Sequence, residues 1–235
     1  MDIRIFPDAE SVAHEAAMIV AREARTAIGL RDRFVFAVSG GHTPWMMLRA
    51  LADETVPWNA VHIVQVDERI APDGDPDRNL THLRESLLGH SSIRDAHIHP
   101  MPVQASDLNR AAKEYAATLE KIAGSPPVLD LVHLGLGPDG HTASLVPGDP
   151  VLNVAESDVA LTGVYQRRRR MTLTYPILNR ARQVLWLATG ADKAEMVSRL
   201  YAGDTSIPAG RIQREHALVL ADSAAAGKRG GTGQV

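Results

Sequence analysis

The sequence lacks cysteine, and it carries little net charge of either sign. Without cysteine there can be no disulfide, no thiolate metal site and no cysteine nucleophile. The formal net charge of −3 leaves no electrostatic signature of a nucleic-acid binder or an anionic-membrane binder. The one dense basic run covers residues 167–170. We therefore expect neither nucleic acid nor membrane among the partners.

Targeting, linker and cofactor motifs are also missing. The N-terminus "MDIRIFPDAESVAHEAA" has no basic segment followed by an apolar one, and no apolar run reaches the ~18 residues that span a bilayer. No repeat or low-complexity linker divides the 235 residues. This favours one cytoplasmic domain over residues 1–235, with a glycine-rich tail that is flexible from about residue 226. HExxH and EF-hand patterns are absent, and the glycine-rich stretch "SGGHTP" matches neither GxGxxG nor GK[ST], so we expect no metal and no cofactor.

Apolar periodicity indicates alternating helices and strands. Residues 9–28 have apolar positions at helical spacing, and "RFVFAVSGG" follows as a short apolar run that ends in glycine. Near-continuous apolar runs recur as "AVHIVQVDE", "DLVHLGLG", "QVLWLATG" and "HALVLAD". Further helical patterns cover residues 45–52, 80–88, 106–123 and 191–201. The sequence predicts an α/β fold, Rossmann-like, with three α/β/α layers and a mostly parallel sheet.

In an open parallel sheet, ligands bind at the carboxyl ends of the strands, so the strand exits are the first places to examine. The first exit reads "SGGHTP", from Ser39 through Gly40, Gly41, His42 and Thr43 to a proline. Glycines let a ligand approach the backbone, and we expect Thr43 to cap the helix that follows. Amide groups at that helix start would suit a phosphate. A tight turn with a good cap is the alternative.

The second exit is "VDERIAPDGDPDRNL", in which Asp67, Glu68 and Arg69 follow a strand and Asn79 begins a helical stretch. A charged group in this place is either a solvated rim or part of a binding site. Its neighbour at the sheet edge is the predicted phosphate turn. That position favours the functional interpretation.

The third exit, "GLGPDGHTASLVPG", places Gly137, Asp139 and His141 behind another strand. We expect the segment to lead into a helix start that holds an imidazole at the sheet edge, with Asp139 close enough to set its tautomer. A histidine with an ordinary pKa of ~6.5 suits a base working near neutral pH. A structural histidine in a turn is the alternative.

Two basic residues near further strands complete the set of candidates. Arg170 precedes "MTLTY" and offers a planar fork for phosphate oxygens, while Lys193 in "TGADKAEM" offers a point charge. His97 and His99 alternate in "HIHP", but no carboxylate follows at ligand spacing. They do not change the expectation that the protein has no metal site.

Five stretches together resemble one known family: "AVSGGHTP", "VDER" with Asn79 downstream, "GLGPDGHTASLVPG", "RRMTLTYPIL" and "TGADKAEMV". In this order and spacing they are similar to the 6-phosphogluconolactonases of the glucosamine-6-phosphate isomerase/6-phosphogluconolactonase family. The resemblance covers almost the whole chain. It implies the fold of the group that contains glucosamine-6-phosphate deaminase, ribose-5-phosphate isomerase and the CoA transferases.

The resemblance implies hydrolysis of 6-phospho-D-glucono-1,5-lactone in the oxidative pentose phosphate pathway, without a cofactor and with this sugar-phosphate lactone as the partner. We predict His141 as base and then acid, with Asp139 and Asp67 orienting His141 or sugar hydroxyls. Arg69 and the Gly40 and Gly41 amides are candidates for the oxyanion, and Thr43, Arg170 and Lys193 for the phosphate. We also expect a monomer or weak homo-oligomer.

Three features of the sequence bear on the alternatives. Many relatives have serine or arginine at the position of His42, so this residue shapes the turn or binds substrate without being catalytic. In the deaminases a carboxylate stands five residues beyond the histidine, where this chain has Val146, and an aromatic residue replaces Arg69. These differences favour hydrolysis over a deaminase or isomerase reaction. A non-catalytic sugar-phosphate sensor is the third possibility, although such proteins usually carry a second domain.

Overall fold

The structure is a computed structural model that describes residues 1–227. Within that range the chain forms ten strands and seven α-helices. The strands are β1 (Asp2–Phe6), β2 (Phe34–Val38), β3 (Val61–Gln65), β4 (Asp67–Arg69), β5 (Ile98–His99), β6 (Leu131–Gly135), β7 (Val159–Leu161), β8 (Arg170–Leu173), β9 (Val184–Ala188) and β10 (Ala217–Asp222). The helices are α1 (Ala9–Arg31), α2 (His42–Ala52), α3 (Asn79–Ser86), α4 (Leu108–Ala123), α5 (Tyr175–Arg180), α6 (Ala194–Ala202) and α7 (Ser223–Ala226).

The main sheet has seven strands in the order β1-β10-β9-β6-β2-β3-β5, and all neighbouring strands in it are parallel. The apolar runs of the sequence form β2, β3, β6, β9 and β10, as predicted. Strands β1 and β5 were missed. Both lie at the edges of the sheet, where one side is open and fewer apolar residues are needed, and β5 has only two residues.

Helices cover both faces of this sheet, which confirms the predicted three-layer α/β/α fold. Helices α1, α2 and α3 pack on one face with Phe36, and helices α4, α5 and α6 pack on the other with Ala37. Successive strand residues point to opposite faces, so each central strand must be apolar at every position. This explains the near-continuous apolar runs.

Helix α1 holds α2 in place at the edge where the candidate site lies. It begins after Asp8, whose side chain accepts a hydrogen bond from the Ser11 N–H at 2.8 Å. It ends at Asp32, whose φ of 59° is left-handed and whose N–H bonds to the Ile28 carbonyl oxygen. The buried stripe between these ends consists mostly of alanine, with Val12, Ile19 and Val20, which allows close packing against α2 and the sheet.

A second, antiparallel sheet with the order β4-β8-β7 changes one prediction. The residues Asp67–Arg69 are not the end of the parallel strand but a separate strand of this sheet, paired with β8. Val66 joins the two sheets, because its N–H bonds to the Val38 carbonyl oxygen and its own carbonyl oxygen accepts the Leu173 N–H. The break was hidden in the sequence because Val66 is fully buried and continues the apolar run.

Two further expectations need correction. No helix begins behind His141, because residues 142–145 form a turn closed by a bridge between Thr142 and Leu145. The predicted flexible tail lies outside the described residues from position 228 onward, and its first part is ordered, since Ala226 ends α7 and is buried. In residues 1–227 no helix is both long enough and apolar enough to span a bilayer.

Candidate active site

The candidate site is a cavity of about 430 Å³ at the carboxyl ends of β9, β6, β2 and β3. Strands β2 and β6 are neighbours in the main sheet. The chain continues from β2 to β3 on one side of this pair, and from β6 to β9, its next strand in this sheet, on the other side. Such a switch point leaves a crevice at the carboxyl edge of a parallel sheet, and ligands bind there.

The cavity collects almost every residue that the sequence singled out. Asp139 is the exception, because it lies behind His141 and does not line the space. The predicted residues that line it are Ser39, Gly40, Gly41, His42, Thr43, Asp67, Arg69, Asn79, Gly137, His141, Arg170 and Lys193. Their individual roles stay predictions.

The turn between β2 and α2 brings backbone amides to the cavity. Gly41 takes the N-cap position of α2 with a φ of 129°, a conformation that favours glycine. The predicted cap by Thr43 is wrong. Its hydroxyl lies inside the first helical turn and shares a hydrogen bond of 2.6 Å with the Thr189 hydroxyl at the end of β9. A β-carbon at Gly40 would overlap the Asn79 side chain, so this glycine lets α3 approach the turn.

His141 and Asp139 form a hydrogen-bonded pair. Nδ1 of His141 lies 2.5 Å from Oδ1 of Asp139, and the same oxygen accepts the backbone N–H of His141 at 3.1 Å. Partial burial by itself raises the pKa of Asp139, but the hydrogen bonds from His141 and its charge outweigh this effect and lower the pKa. The carboxylate therefore stays ionised and holds the Nδ1 proton, which leaves Nε2 as the basic nitrogen.

Asp67 lies on β4 and Arg170 on the neighbouring strand β8, and Ser144 connects their side chains. The Ser144 hydroxyl donates to Oδ2 of Asp67 at 2.5 Å and accepts from Nη1 of Arg170 at 3.4 Å. Arg170 is only 4% exposed. Burial lowers its pKa, and the charge of Asp67 partly offsets that effect. A guanidinium remains charged at such a site, so the cavity keeps a cation deep in its wall.

Asn79 is held at the cavity by the carboxylate of Glu68. This fully buried side chain accepts the backbone N–H groups of Asn79 and Leu80 at 2.9 Å each, which caps the start of α3. The Asn79 amide donates to the Asp67 carbonyl oxygen at 2.9 Å, and its oxygen accepts a hydrogen bond from the Arg69 guanidinium. Arg69 thus reaches the cavity in a defined position. Glu68 is structural.

Ser39 and Lys193 lie at different depths of the cavity. The Ser39 N–H donates to Nδ1 of His133 at 3.2 Å, and burial lowers the pKa of His133 to about 3, so this histidine is neutral. The Ser39 hydroxyl has no hydrogen-bond partner among residues 1–227, although it is buried. Lys193 pairs with Asp192 at 3.1 Å nearer the surface. A bound ligand could use both groups.

Several contributing residues were missed. Ser144 stands three positions after His141 inside a motif that was noted, but its role depends on contacts with β4 and β8. Thr189 follows β9 directly, so the strand-exit rule could have found it. Tyr165 lies in the loop between β7 and β8, and no local signal in the sequence distinguishes it. In the described part of the chain, no cluster of three or more His, Asp or Glu side chains could hold a metal ion.

Fold and cavity together define a three-layer α/β protein in which a histidine and aspartate pair faces arginine, lysine and backbone amide groups. A family model described as glucosamine-6-phosphate isomerases/6-phosphogluconolactonase matches residues 7–220. The chain therefore belongs to this family.

Individual relatives agree with the assignment. The chain is 36% identical over 211 residues to a 6-phosphogluconolactonase from Synechocystis sp., covering 87% of this chain and 88% of the relative. It is similar to the structure of 6-phosphogluconolactonase from Trypanosoma brucei, with 26% identity, a TM-score of 0.85 and coverage of 96% and 97% of the two chains. A monomeric glucosamine-6-phosphate deaminase has a TM-score of 0.84 at 20% identity, with coverage of 96% and 99%. That likeness shows the fold alone.

Proposed function

We propose that the protein hydrolyses 6-phospho-D-glucono-1,5-lactone to 6-phospho-D-gluconate, a step of the oxidative pentose phosphate pathway. The observation that carries the proposal is the placement of the His141 and Asp139 pair in one cavity with Arg69, Arg170 and the start of α2. Membership of a family that includes 6-phosphogluconolactonases supports it.

His141 acts first as a base. With Asp139 accepting at Nδ1, the free Nε2 takes a proton from a water molecule as that water attacks the lactone carbonyl carbon. A bond forms between the water oxygen and C1, and the carbonyl oxygen gains negative charge. The adjacent carboxylate stabilises the imidazolium that results.

The same histidine then acts as an acid. The bond between C1 and the ring oxygen breaks as the tetrahedral intermediate collapses, and the imidazolium gives its proton to the ring oxygen, which becomes the 5-hydroxyl. The product acid ionises and releases one proton to solvent. Arg69 and the amides of Gly40 and Gly41 are the groups proposed to stabilise the oxyanion before collapse.

Remote binding energy comes from the phosphate. Arg170 offers a planar fork, Lys193 a mobile charge and Thr43 a hydroxyl at the start of α2. A phosphate held there fixes the lactone ring with respect to His141, and orientation of this kind lowers the barrier to attack. Asp67 is occupied by Ser144 and Asn79 and is proposed to orient sugar hydroxyls.

The test is turnover of freshly generated lactone at constant pH. Acid release is followed against the spontaneous rate in the same buffer, with His141→Asn as the matched control. We expect saturable hydrolysis by the wild type that is largely lost in the variant. A wild-type rate no greater than that of buffer would sink the enzymatic proposal and favour a sugar-phosphate sensor.

A second assay separates hydrolysis from the chemistry of the deaminases and isomerases. Val146 is buried and cannot transfer a proton at the position where those deaminases carry a carboxylate. We expect no ammonia from glucosamine 6-phosphate and no interconversion of ribose 5-phosphate and ribulose 5-phosphate. Saturable ammonia release that disappears in His141→Asn would assign the site to a deaminase instead.

The remaining expectations belong to the same proposal. The two sheets jointly build the cavity, which supports one domain as the working unit. We propose a cytoplasmic protein that is a monomer or weak homo-oligomer and binds a small sugar-phosphate lactone rather than nucleic acid.

A further inference from the structure

Tyr165 completes the hydrogen bonding of the Asp139 carboxylate. Its hydroxyl donates to Oδ2 of Asp139 at 3.2 Å, while Oδ1 of Asp139 lies 2.5 Å from Nδ1 of His141. One carboxylate oxygen of Asp139 therefore bonds to the phenol of Tyr165, and the other bonds to the imidazole of His141. The family motifs in the sequence do not include Tyr165.

The Tyr165 ring also contacts two residues that line the cavity, His141 and Arg170. Its centroid is 5.5 Å from that of the His141 imidazole, with the planes at 65°, an edge-to-face arrangement. Cζ of Arg170 lies 5.1 Å from the same centroid, within range of a cation–π interaction. One side chain thus contacts both the proposed base and the proposed phosphate ligand.

The local backbone is built to hold Tyr165 there. Residues 165–168 form a tight turn in which the Arg168 N–H bonds to the Tyr165 carbonyl oxygen, and Gln166 and Arg167 have φ of 49° and 68°. Left-handed residues other than glycine are costly and persist only where surrounding contacts hold them. Arg168 is paired with Asp75 and Asp77 at 3.1 and 2.9 Å, and Gln166 accepts a hydrogen bond from Arg170 at 3.1 Å.

We propose that Tyr165 is a positioning residue of the active site. Its hydroxyl, by donating to Asp139, weakens the attraction between the Asp139 carboxylate and the His141 imidazolium, and its ring supports the Arg170 guanidinium. The inference rests on the proposed function, because it concerns His141 as the base and Arg170 as a substrate ligand. It assigns Tyr165 no direct contact with the substrate.

The electrostatic reason lies in the shared carboxylate. Burial raises the pKa of Tyr165, and the charge of Asp139 raises it further, so the phenol keeps its proton and donates it. This donation is one of the interactions that lower the pKa of Asp139. A carboxylate that donors already stabilise attracts an imidazolium less strongly. Loss of the hydroxyl should therefore favour the protonated histidine.

The experiment compares Tyr165→Phe with the wild type in the full chain. The Cε1 proton of His141 is followed by NMR over a pH titration without substrate, after assignment with His141→Asn. We expect the titration midpoint to move up by about half a pH unit in Tyr165→Phe. The acid limb of kcat/KM for fresh lactone should move in the same direction.

Tyr175 provides a matched control. Its hydroxyl donates to the Pro208 carbonyl oxygen at 3.0 Å and Cζ of Arg211 lies 4.3 Å from its ring centroid, but neither Pro208 nor Arg211 lines the cavity. Tyr175→Phe should leave the His141 midpoint in place. An unchanged midpoint in Tyr165→Phe, or an equal movement in both variants, would overturn the role of the hydroxyl. The titration needs no turnover, so its outcome is independent of whether the lactone is the substrate.

A second variant tests the ring. Tyr165→Leu removes the aromatic face beneath Arg170, and we expect KM for the lactone to rise roughly two- to fivefold above that of Tyr165→Phe. Thermal unfolding of both variants checks that the fold is retained. Equal KM values in Tyr165→Leu and Tyr165→Phe would overturn the supporting role of the ring.

Discussion

Gly137 and the imidazole of His141 occupy adjoining space, with no room for a methyl group between them. A β-carbon at Gly137 would overlap Nδ1 and Cε1 of the ring, and the Gly137 N–H donates to the His141 carbonyl oxygen at 2.8 Å. The glycine therefore holds the segment that carries His141 and also leaves the volume in which the ring lies.

Gly137→Ala should reduce turnover without unfolding the protein. The methyl group would push the imidazole away from Asp139, and we expect kcat to fall by roughly 10²-fold, because misplacement of a catalytic group by about 1 Å has that cost. Gly29→Ala is the control, since Gly29 lies in α1, does not line the cavity, and no atom lies within 4 Å of its added β-carbon. Steady-state kinetics of the two variants check this. Equal activity in both would mean that the ring position does not depend on Gly137.

His141→Asn should lower kcat by roughly 10² to 10⁴ and leave binding of 6-phosphogluconate nearly intact. Asparagine cannot exchange a proton with water, but it fits the same space and leaves the phosphate ligands untouched. Calorimetric titration with the product and steady-state kinetics measure the two effects separately. Turnover close to the wild-type value would move the base elsewhere, with Asp67 as the next candidate.

Arg170→Ala should act mainly on KM for the phosphorylated lactone. If the guanidinium binds phosphate equally in ground and transition states, its loss weakens binding of the phosphorylated substrate and has far less effect on unphosphorylated gluconolactone. Arg167→Ala is a suitable control, because Arg167 is exposed and does not line the cavity. Comparable losses on both lactones would argue that Arg170 serves the reacting centre rather than the phosphate.

Acid should weaken the fold through protonation of His62. Its Nδ1 lies 3.0 Å from Nε2 of His99, and its ring stacks on that of His97 with 4.1 Å between the centroids. Burial, followed by the charges of these neighbours, lowers the pKa of His62 from 6.5 to about 4. Between these values the unfolded chain takes up the proton and the folded chain does not, so stability is full above pH 6.5 and falls toward pH 4.

Urea unfolding of the wild type and His62→Asn at neutral and acid pH measures this contribution. We expect the variant to lose less stability across the window, by on the order of 1 kcal/mol after allowance for solvent screening of a half-buried ring. His99, whose pKa burial also lowers, should act in the same direction. Identical pH dependence in the wild type and His62→Asn would exclude this origin.

Local patterns in the sequence were sufficient for the five inner strands of the main sheet and for the strand exits that line the cavity. Strands such as β2 and β6 are buried on both faces, so their apolar runs are visible without any knowledge of the fold. The carboxyl ends of parallel strands meet at one edge, which is why "SGGHTP" and "GPDGH" could be placed in one cavity. Edge strands such as β1 carry a weaker signal and were missed.

Interactions between distant segments were decided by the tertiary structure alone. Val66 connects the two sheets. Ser144 forms hydrogen bonds with Asp67 and Arg170, and these three residues come from three separate segments of the chain. Tyr165 reaches Asp139 from a loop 26 positions later in the chain. The amino-acid sequence determines which residues lie at strand exits, because that depends on local apolar patterns. Which of them share a hydrogen bond depends on packing across the chain, which local patterns do not describe.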